Sequence, residues 1–145
     1  MIKYEINNLT SYRLSPRSIT KVVGVFSRMA KIKKSRSVSL AFISPAQMRK
    51  WNRLYRGQDK VTDVLSFVAG REGEFDDSLG EILICPQRAS RQAKEYGWTL
   101  SQEVARLLIH GLAHLLGYDH ENVSPRKAKE MELFEAKVLK RLETD

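Results

Sequence analysis

The chain has 145 residues, of which 42% are hydrophobic and 29% charged, a composition typical of one soluble globular domain. Its 25 Lys and Arg residues against 17 Asp and Glu give a formal net charge of +8. This charge favours a polyanionic partner, either nucleic acid or an anionic membrane surface, although a basic surface kept for solubility fits it equally well. No apolar stretch approaches the roughly 20 residues that span a bilayer, and a single cysteine excludes an internal disulfide, so we expect a cytoplasmic protein with no membrane role.

The first half of the chain predicts two strands and two helices. Residues 2–6 alternate apolar and polar side chains as a half-buried strand does, and residues 38–42 repeat the pattern. Ser15-Pro16 and Ser44-Pro45 each place an N-cap before a proline at the first helical position. The apolar stripes that follow are Ile19, Val22, Val23, Phe26 and Met29 in the first helix, and Met48, Trp51 and Leu54 or Tyr55 in the second.

The second half predicts two more strands, at 64–68 and 81–85, and three helices. The strands are separated by a loop from Ala69 to Leu79, rich in Gly, Asp and Glu. One helix follows Pro86, the next begins at the capping box 99–102 and ends at Gly117, and the last begins at Ser124-Pro125. We therefore expect an α+β fold, a single domain over residues 1–145 with a mixed sheet of about four strands and about five helices.

The helix over residues 104–116 is apolar almost all round, which predicts that it is buried. Arg106, His110 and His114 interrupt it. Two imidazoles four residues apart lie on one helical face, with Cβ atoms roughly 6 Å apart. Buried polar groups without partners are costly, so the pair needs a shared partner, and a divalent metal ion supplies one.

His120 completes a set of three imidazoles. Gly117 can end the helix and turn the chain back, so the ligands follow one another at i, i+4 and i+10. This is the ligand spacing of the H-E-x-x-H-x-x-G-x-x-H zinc motif, including its glycine. The sequence therefore predicts one zinc ion per chain, held by His110, His114 and His120.

Three protein ligands leave a fourth tetrahedral position for water, as in catalytic zinc sites. The alternative is a closed structural site with Asp119, Glu121 or Cys85 as the fourth ligand. Gly111 occupies the position where zinc proteases carry their general-base Glu. A peptidase is accordingly disfavoured, because it would lack its base.

The histidine motif, His110-Gly-x-x-His-Leu-x-Gly-Tyr-Asp-His120, resembles the signature of the YbeY family of bacterial metal-dependent endoribonucleases. Two upstream blocks, 52–67 and 79–85, also resemble that family, so the likeness covers nearly the whole domain. The resemblance implies a zincin-like fold and a zinc-dependent endoribonuclease for single-stranded RNA. It further implies a role in maturing the 3′ end of small-subunit ribosomal RNA and in ribosome quality control, with ribosomal RNA and the small subunit as partners and no DNA.

Two residues are candidates for catalysis under this interpretation, the metal ligand His114 and Arg56. Arg56 matches a family arginine linked to activity, and a guanidinium can neutralise charge on a phosphate. From the sequence alone it fits a surface arginine at a helix end better. Trp51 or Tyr55 can stack a base, although both also fit the apolar stripe of their helix.

A groove that follows the RNA backbone requires cations. The basic residues predicted to supply them are Lys31, Lys33, Lys34, Arg36, Arg49, Lys50, Arg53 and Lys60. A second hypothesis is a non-catalytic ribosome-assembly factor that binds RNA and keeps a structural metal. The open ligand position discriminates the two, because a protein fourth ligand favours the assembly factor.

Overall fold

The computed structural model describes residues 1–69, 77–117 and 124–144. The strands are β1 (Ile2–Asn8), β2 (Arg36–Phe42), β3 (Val64–Val68) and β4 (Ser78–Ile84). The helices are α1 (Pro16–Met29), α2 (Pro45–Arg56), α3 (Pro86–Tyr96), α4 (Leu100–Leu115) and α5 (Pro125–Thr144). The expected α+β fold is confirmed. None of the helices in the described ranges is long and apolar enough to cross a membrane.

The four strands form one mixed sheet in the order β1-β2-β4-β3. β1, β2 and β4 run parallel, with Ile6 opposite Leu40 and Leu40 opposite Ile82. β3 runs antiparallel to β4, so Val64 lies opposite Ile84 and Val68 opposite Gly80. Among the described strands β3 therefore forms one edge of the sheet.

The predicted helix starts are confirmed by their caps. Ser15 accepts a hydrogen bond from the Ser18 backbone N–H at the start of α1. Ser44 and Thr99 both form capping boxes, at the starts of α2 and α4. Each cap satisfies backbone donors that the first turn of a helix leaves without partners.

The core lies on both faces of the sheet. Ile82 and Ile84 point into a large cluster that includes α1, α4 and α5, whereas Leu83 and Cys85 point into a smaller cluster with Met48 of α2. Successive side chains of a strand alternate between faces, so α2 covers one face and α4 the other. α4 packs against α1, α3, α5, β3 and β4, which confirms that it is the buried central helix.

Two parts of the expected pattern are wrong. Either Leu54 or Tyr55 was predicted to complete the buried stripe of α2, yet they are 60% and 62% exposed, because Met48 and Asn52 provide the buried face of that helix. β4 begins at Ser78 rather than Glu81, since pairing with β2 starts there, so the predicted loop ends earlier. Residues 70–76 of that loop lie outside the described residues.

Candidate functional site

Four polar side chains share one stripe of α4: Glu103, Arg106, His110 and His114. Their spacing of i, i+3, i+7 and i+11 places them on one face of the helix. Glu103 is fully buried, whereas Arg106 and His110 keep about a third of their side-chain surface exposed. The structure thus brings two of the predicted metal ligands together on a rigid element, at the boundary between core and solvent.

The ring of His110 is held from α5. Its Nδ1 lies 2.8 Å from Oε1 of Glu135, which is half-buried. A carboxylate can only accept, so Nδ1 carries the hydrogen and donates it, and in the neutral ring Nε2 is then the nitrogen able to bind a metal. Histidine ligands of metals are characteristically oriented in this way.

Glu135 is a functional residue that the sequence analysis missed. It lies in the same stripe of α5 as the buried Met131 and Val138. The sequence feature that could have identified Glu135 is a carboxylate placed between apolar residues on one face of a helix. Because charged groups are rarely turned inward without a partner, this position indicates a cation or a hydrogen-bond donor opposite, an inference that the sequence analysis did not draw.

Arg106 links three acidic side chains beside the histidines. Its Nε donates to Glu103 Oε1 at 2.5 Å, and its Nη2 lies 3.9 Å from Asp63 Oδ2. Burial alone would lower the pKa of Arg106, but the hydrogen bond to Glu103 and the charge of that carboxylate raise it. The charges of Asp63 and Glu135 add to this effect, so the guanidinium stays charged.

Asp63 joins α4 to the segment that follows α2. Its Oδ1 accepts the Val64 backbone N–H at 2.8 Å, and its backbone carbonyl accepts the Cys85 N–H at 2.9 Å. These bonds fix the start of β3 beside the end of β4. Since Asp63 also faces Arg106, the end of the 57–63 segment lies one helical turn from His110.

The third predicted ligand, His120, lies outside the described residues, as do Asp119 and Glu121. Within residues 1–69, 77–117 and 124–144 no group of three possible metal ligands occurs. Cys85 is buried in the cluster with Met48 on the α2 face of the sheet, and burial raises the pKa of its thiol. A buried neutral thiol on the face opposite α4 does not fit the structural zinc site considered from the sequence.

Gly111 is buried between His110 and His114 in the chain, against β4. A Cβ at this position would lie 3.0 Å from Ile82 Cδ1 and 3.1 Å from its Cγ2. The side chain of a protease-type glutamate would therefore meet the sheet. This packing adds a steric reason to the chemical argument against a peptidase.

Arg56 is the last residue of α2 and is exposed. Gly57 follows it with a left-handed backbone, φ +66°, and the Asn52 side chain holds the returning segment through the Lys60 carbonyl at 3.0 Å. In the described part of the chain, no side-chain hydrogen bond or ion pair engages Arg56. Its guanidinium is thus available to a ligand.

The eight basic residues predicted for RNA binding fall into two groups. Lys31, Lys33, Lys34 and Arg36 lie before or at the start of β2. Arg49, Lys50, Arg53 and Lys60 lie on or just after α2, which follows the other end of that strand. The seven residues of β2 separate the two groups by about 20 Å, so the groups lie at opposite ends of the sheet. The sequence analysis had treated them as one groove.

Three of these residues already have an acidic neighbour or limited exposure, among them Arg53, whose Nη1 lies 3.8 Å from Asp59 Oδ1. Arg49 forms a two-point ion pair with Asp59, at 2.8 and 3.1 Å, which lowers the pKa of that carboxyl. Arg36 is half-buried as the first residue of β2, with its Nε out of reach of solvent. RNA contact by all eight residues stays a prediction.

Comparison with known proteins identifies the family of the chain. Residues 4–143 match the family described as Endoribonuclease YbeY. The chain belongs to the YbeY family. Proteins named Endoribonuclease YbeY from Myxococcus xanthus and Thermodesulfovibrio yellowstonii are 48% and 44% identical to it, over 70% and 72% of this chain. The alignments span 35% and 66% of those two proteins, so the YbeY chain described here matches less than two thirds of either.

Two further relatives cover nearly all of this YbeY chain. The Phytoplasma mali protein named Endoribonuclease YbeY is 36% identical over 99% of this chain and 91% of its own length. The solution structure of TM1509 from Thermotoga maritima superimposes with a TM-score of 0.65 and 28% identity, covering 98% of this chain and 89% of that one. The fold and family suggested by the histidine motif are thus confirmed.

Proposed function

We propose that this YbeY chain is a metal-dependent endoribonuclease that cuts single-stranded ribosomal RNA. The observation that carries the proposal is the pair His110 and His114 on one face of the buried α4, with Nδ1 of His110 engaged by Glu135. Together with the family membership, this arrangement supports a hydrolase in which imidazole nitrogens bind a metal ion.

The proposed metal is zinc, one ion per chain, on His110, His114 and His120. Imidazole suits zinc, and because Nδ1 of His110 is engaged by Glu135, its Nε2 is the nitrogen proposed to bind the ion. When bound, such an ion supplies Lewis-acid activation of water and of a phosphoryl oxygen. Glu135 orients His110, and Arg106 balances the carboxylates beside it, so the ring of this one proposed ligand is oriented by the chain itself.

Arg56 is proposed to bind the scissile phosphate. Its exposed guanidinium can form two parallel hydrogen bonds to phosphate oxygens and offset negative charge that grows during cleavage. The segment 57–63 leads from it to Asp63, which contacts Arg106 on α4. His114 is proposed as the second catalytic residue beside Arg56. It is the proposed metal ligand that lies between His110 and His120 in the chain.

The proposed substrate and setting follow from the family name and the charge. A net charge of +8 favours an RNA partner, and the exposed cations Lys31, Lys33 and Lys34 are proposed as contacts for its backbone. We propose that residues 1–145 act as one domain in the cytoplasm on the 3′ end of small-subunit ribosomal RNA and in ribosome quality control. DNA and membranes are not proposed as partners.

Removing the metal with a chelator and then adding zinc back tests the proposal. The purified chain would be assayed on a labelled single-stranded RNA and on the same sequence as a duplex, before and after chelator treatment and dialysis. We expect cleavage of the single strand alone, its loss with the metal, and its recovery with zinc. Full RNA binding without cleavage under every metal condition would instead identify a non-catalytic assembly factor.

A further inference from the structure

Three aromatic side chains meet beside the exposed end of α2. The rings of Trp51 and Tyr55 are stacked, with centroids 5.4 Å apart and planes inclined by 23°. Phe67 of β3 meets Tyr55 edge to face, with centroids 5.1 Å apart. We call Trp51, Tyr55 and Phe67 the α2 aromatic cluster.

One side of the α2 aromatic cluster packs against the core, and the other side faces solvent. Trp51 and Phe67 are half-buried and pack against the smaller core cluster, whereas Tyr55 is 62% exposed. Two neighbouring rings fix the Tyr55 side chain, so little rotamer freedom remains to be lost when a ligand stacks on it. An aromatic surface held ready in this way at the solvent boundary is typical of a binding site.

The helix that carries two of the three rings is basic. α2 contains four basic residues and no acidic one, and Nζ of Lys50 lies 5.8 Å from the centroid of the Trp51 ring. Asp59 neutralises Arg49 and approaches Arg53 at 3.8 Å, whereas no acidic side chain among residues 1–69, 77–117 and 124–144 forms an ion pair with Lys50 or Arg56. Aromatic faces set among cations are the combination with which proteins bind unpaired nucleotides.

The α2 aromatic cluster lies across the sheet from the histidines of α4. Phe67 pairs with Glu81 on β4, and the next residue of β4, Ile82, packs under Gly111 on the opposite face. The cluster and the α4 histidines therefore lie at the same level of β3, on opposite faces of the sheet. β3 is an edge of the sheet among the described strands. A single-stranded RNA can therefore pass around this edge from one face of the sheet to the other.

We infer that the α2 aromatic cluster is a base-stacking site for single-stranded RNA, with Tyr55 as its stacking surface. This inference rests on the proposed function, for which it names a substrate contact away from the metal ligands. A base stacked on Tyr55 belongs to a nucleotide near the phosphate that Arg56 is proposed to bind, because the two residues are consecutive in α2. Bases inside a duplex are already stacked and cannot use the site.

Binding measurements with a matched tyrosine control test this inference. Tyr96 on α3 is 65% exposed and its ring lies 5.2 Å from that of Trp98, so it closely resembles Tyr55 in exposure and neighbour. The affinities of wild type, Tyr55→Ala, Tyr55→Phe and Tyr96→Ala for a labelled single-stranded RNA would be measured by fluorescence anisotropy, with chelator present to prevent cleavage. Circular dichroism would establish that each variant is folded.

We expect Tyr55→Ala to bind about 5- to 100-fold more weakly, the range found when a stacking side chain is truncated. Tyr55→Phe should keep most of the affinity because it keeps the ring, and Tyr96→Ala should bind as wild type does. With an RNA of the same length that lacks bases, all four proteins should bind equally. Equal loss in Tyr55→Ala and Tyr96→Ala, or no loss in either, would overturn the stacking site.

The two proposals fail separately. If Tyr55→Ala binds normally while the wild type cuts RNA in a metal-dependent manner, the stacking site is wrong and the nuclease stands. If the wild type never cuts RNA but loses affinity through Tyr55→Ala, the stacking site stands and the nuclease is wrong.

Discussion

Nδ1 of His110 and Oε1 of Glu135 lie 2.8 Å apart, although 25 residues separate them in the chain. The contact joins the central helix α4 to the last helix α5. It fixes the ring orientation of one proposed metal ligand before any metal is bound. α5, which carries no proposed ligand, therefore contributes directly to the geometry of the site.

The first prediction concerns this contact. Glu135→Gln replaces a charged acceptor with an amide and should weaken zinc binding by about 10- to 100-fold, the usual effect of removing such a partner. Competition with a chromogenic zinc chelator measures the affinity independently of RNA cleavage. Glu132→Gln, an exposed residue of the same helix 3.9 Å from Lys129, serves as control and should bind zinc as wild type does. Equal zinc affinities for Glu135→Gln and wild type would mean that the contact does not orient His110.

A second prediction separates phosphate contact from general RNA attraction. Arg56→Lys should keep zinc content and most RNA affinity but lower kcat, because a lysine cannot form the two-point contact of a guanidinium. Arg53→Lys, one turn earlier on α2 and 3.8 Å from Asp59, is the matched control and should leave kcat unchanged. Steady-state cleavage with both variants gives kcat and KM. An unchanged kcat in Arg56→Lys would return Arg56 to the role of a surface residue.

The buried pair Glu103–Arg106 gives a stability prediction. Glu103 is fully buried and its Oε2 has no hydrogen-bond partner within the described part of the chain, so Arg106 is its main compensation. Arg106→Ala should reduce the free energy of unfolding by about 2–3 kcal/mol, less than for a wholly buried pair because the guanidinium is 37% exposed. Arg126→Ala, at an 89% exposed ion pair on α5, should change it by less than about 0.5 kcal/mol.

Urea denaturation followed by tryptophan fluorescence measures both changes. Adding Glu103→Gln to Arg106→Ala should recover part of the loss, since no uncompensated carboxylate then remains buried. A loss as small in Arg106→Ala as in Arg126→Ala would show that Glu103 does not need its partner.

Cys85 gives a pH dependence. Burial raises the pKa of its thiol, although backbone hydrogen bonds from Arg88 and Gln87 oppose the shift. The native state therefore holds this proton more tightly than the unfolded state does. The corresponding stability is complete below the unfolded thiol pKa of about 8.5 and declines as the pH rises above it. Cys85→Ala should thus lose less stability than wild type between neutral and alkaline pH in urea titrations, and parallel losses would contradict the assignment.

How much the sequence predicts differs between the fold and the site. Helix starts depend on neighbouring residues, such as Ser44 with Gln47, and the sequence predicted them. The order of strands, with β4 between β2 and β3, depends on contacts distant in sequence and was not predicted. Tyr55 was one of two candidates, with Leu54, for the buried stripe of its helix, while in the folded protein its ring is 62% exposed and contacts Trp51 and Phe67.

The site shows the same division. The histidine pair His110 and His114 is local, because helical periodicity alone places both on one face. Glu135 and Asp63 reach the site from other elements, so only the packing of α5 and β3 against α4 brings them there. From the sequence, each of these two carboxylates indicates only that some donor or cation lies nearby. Residue spacing along the chain does not show which helix lies opposite.

The metal content of the purified chain tests the central claim most directly. Elemental analysis of wild type should give one zinc per chain, and His110→Ala, His114→Ala and His120→Ala should each lose it, with Tyr96→Ala retaining it. Full zinc occupancy in His120→Ala, or none in wild type purified without chelator and supplied with zinc, would contradict three imidazoles meeting at one ion.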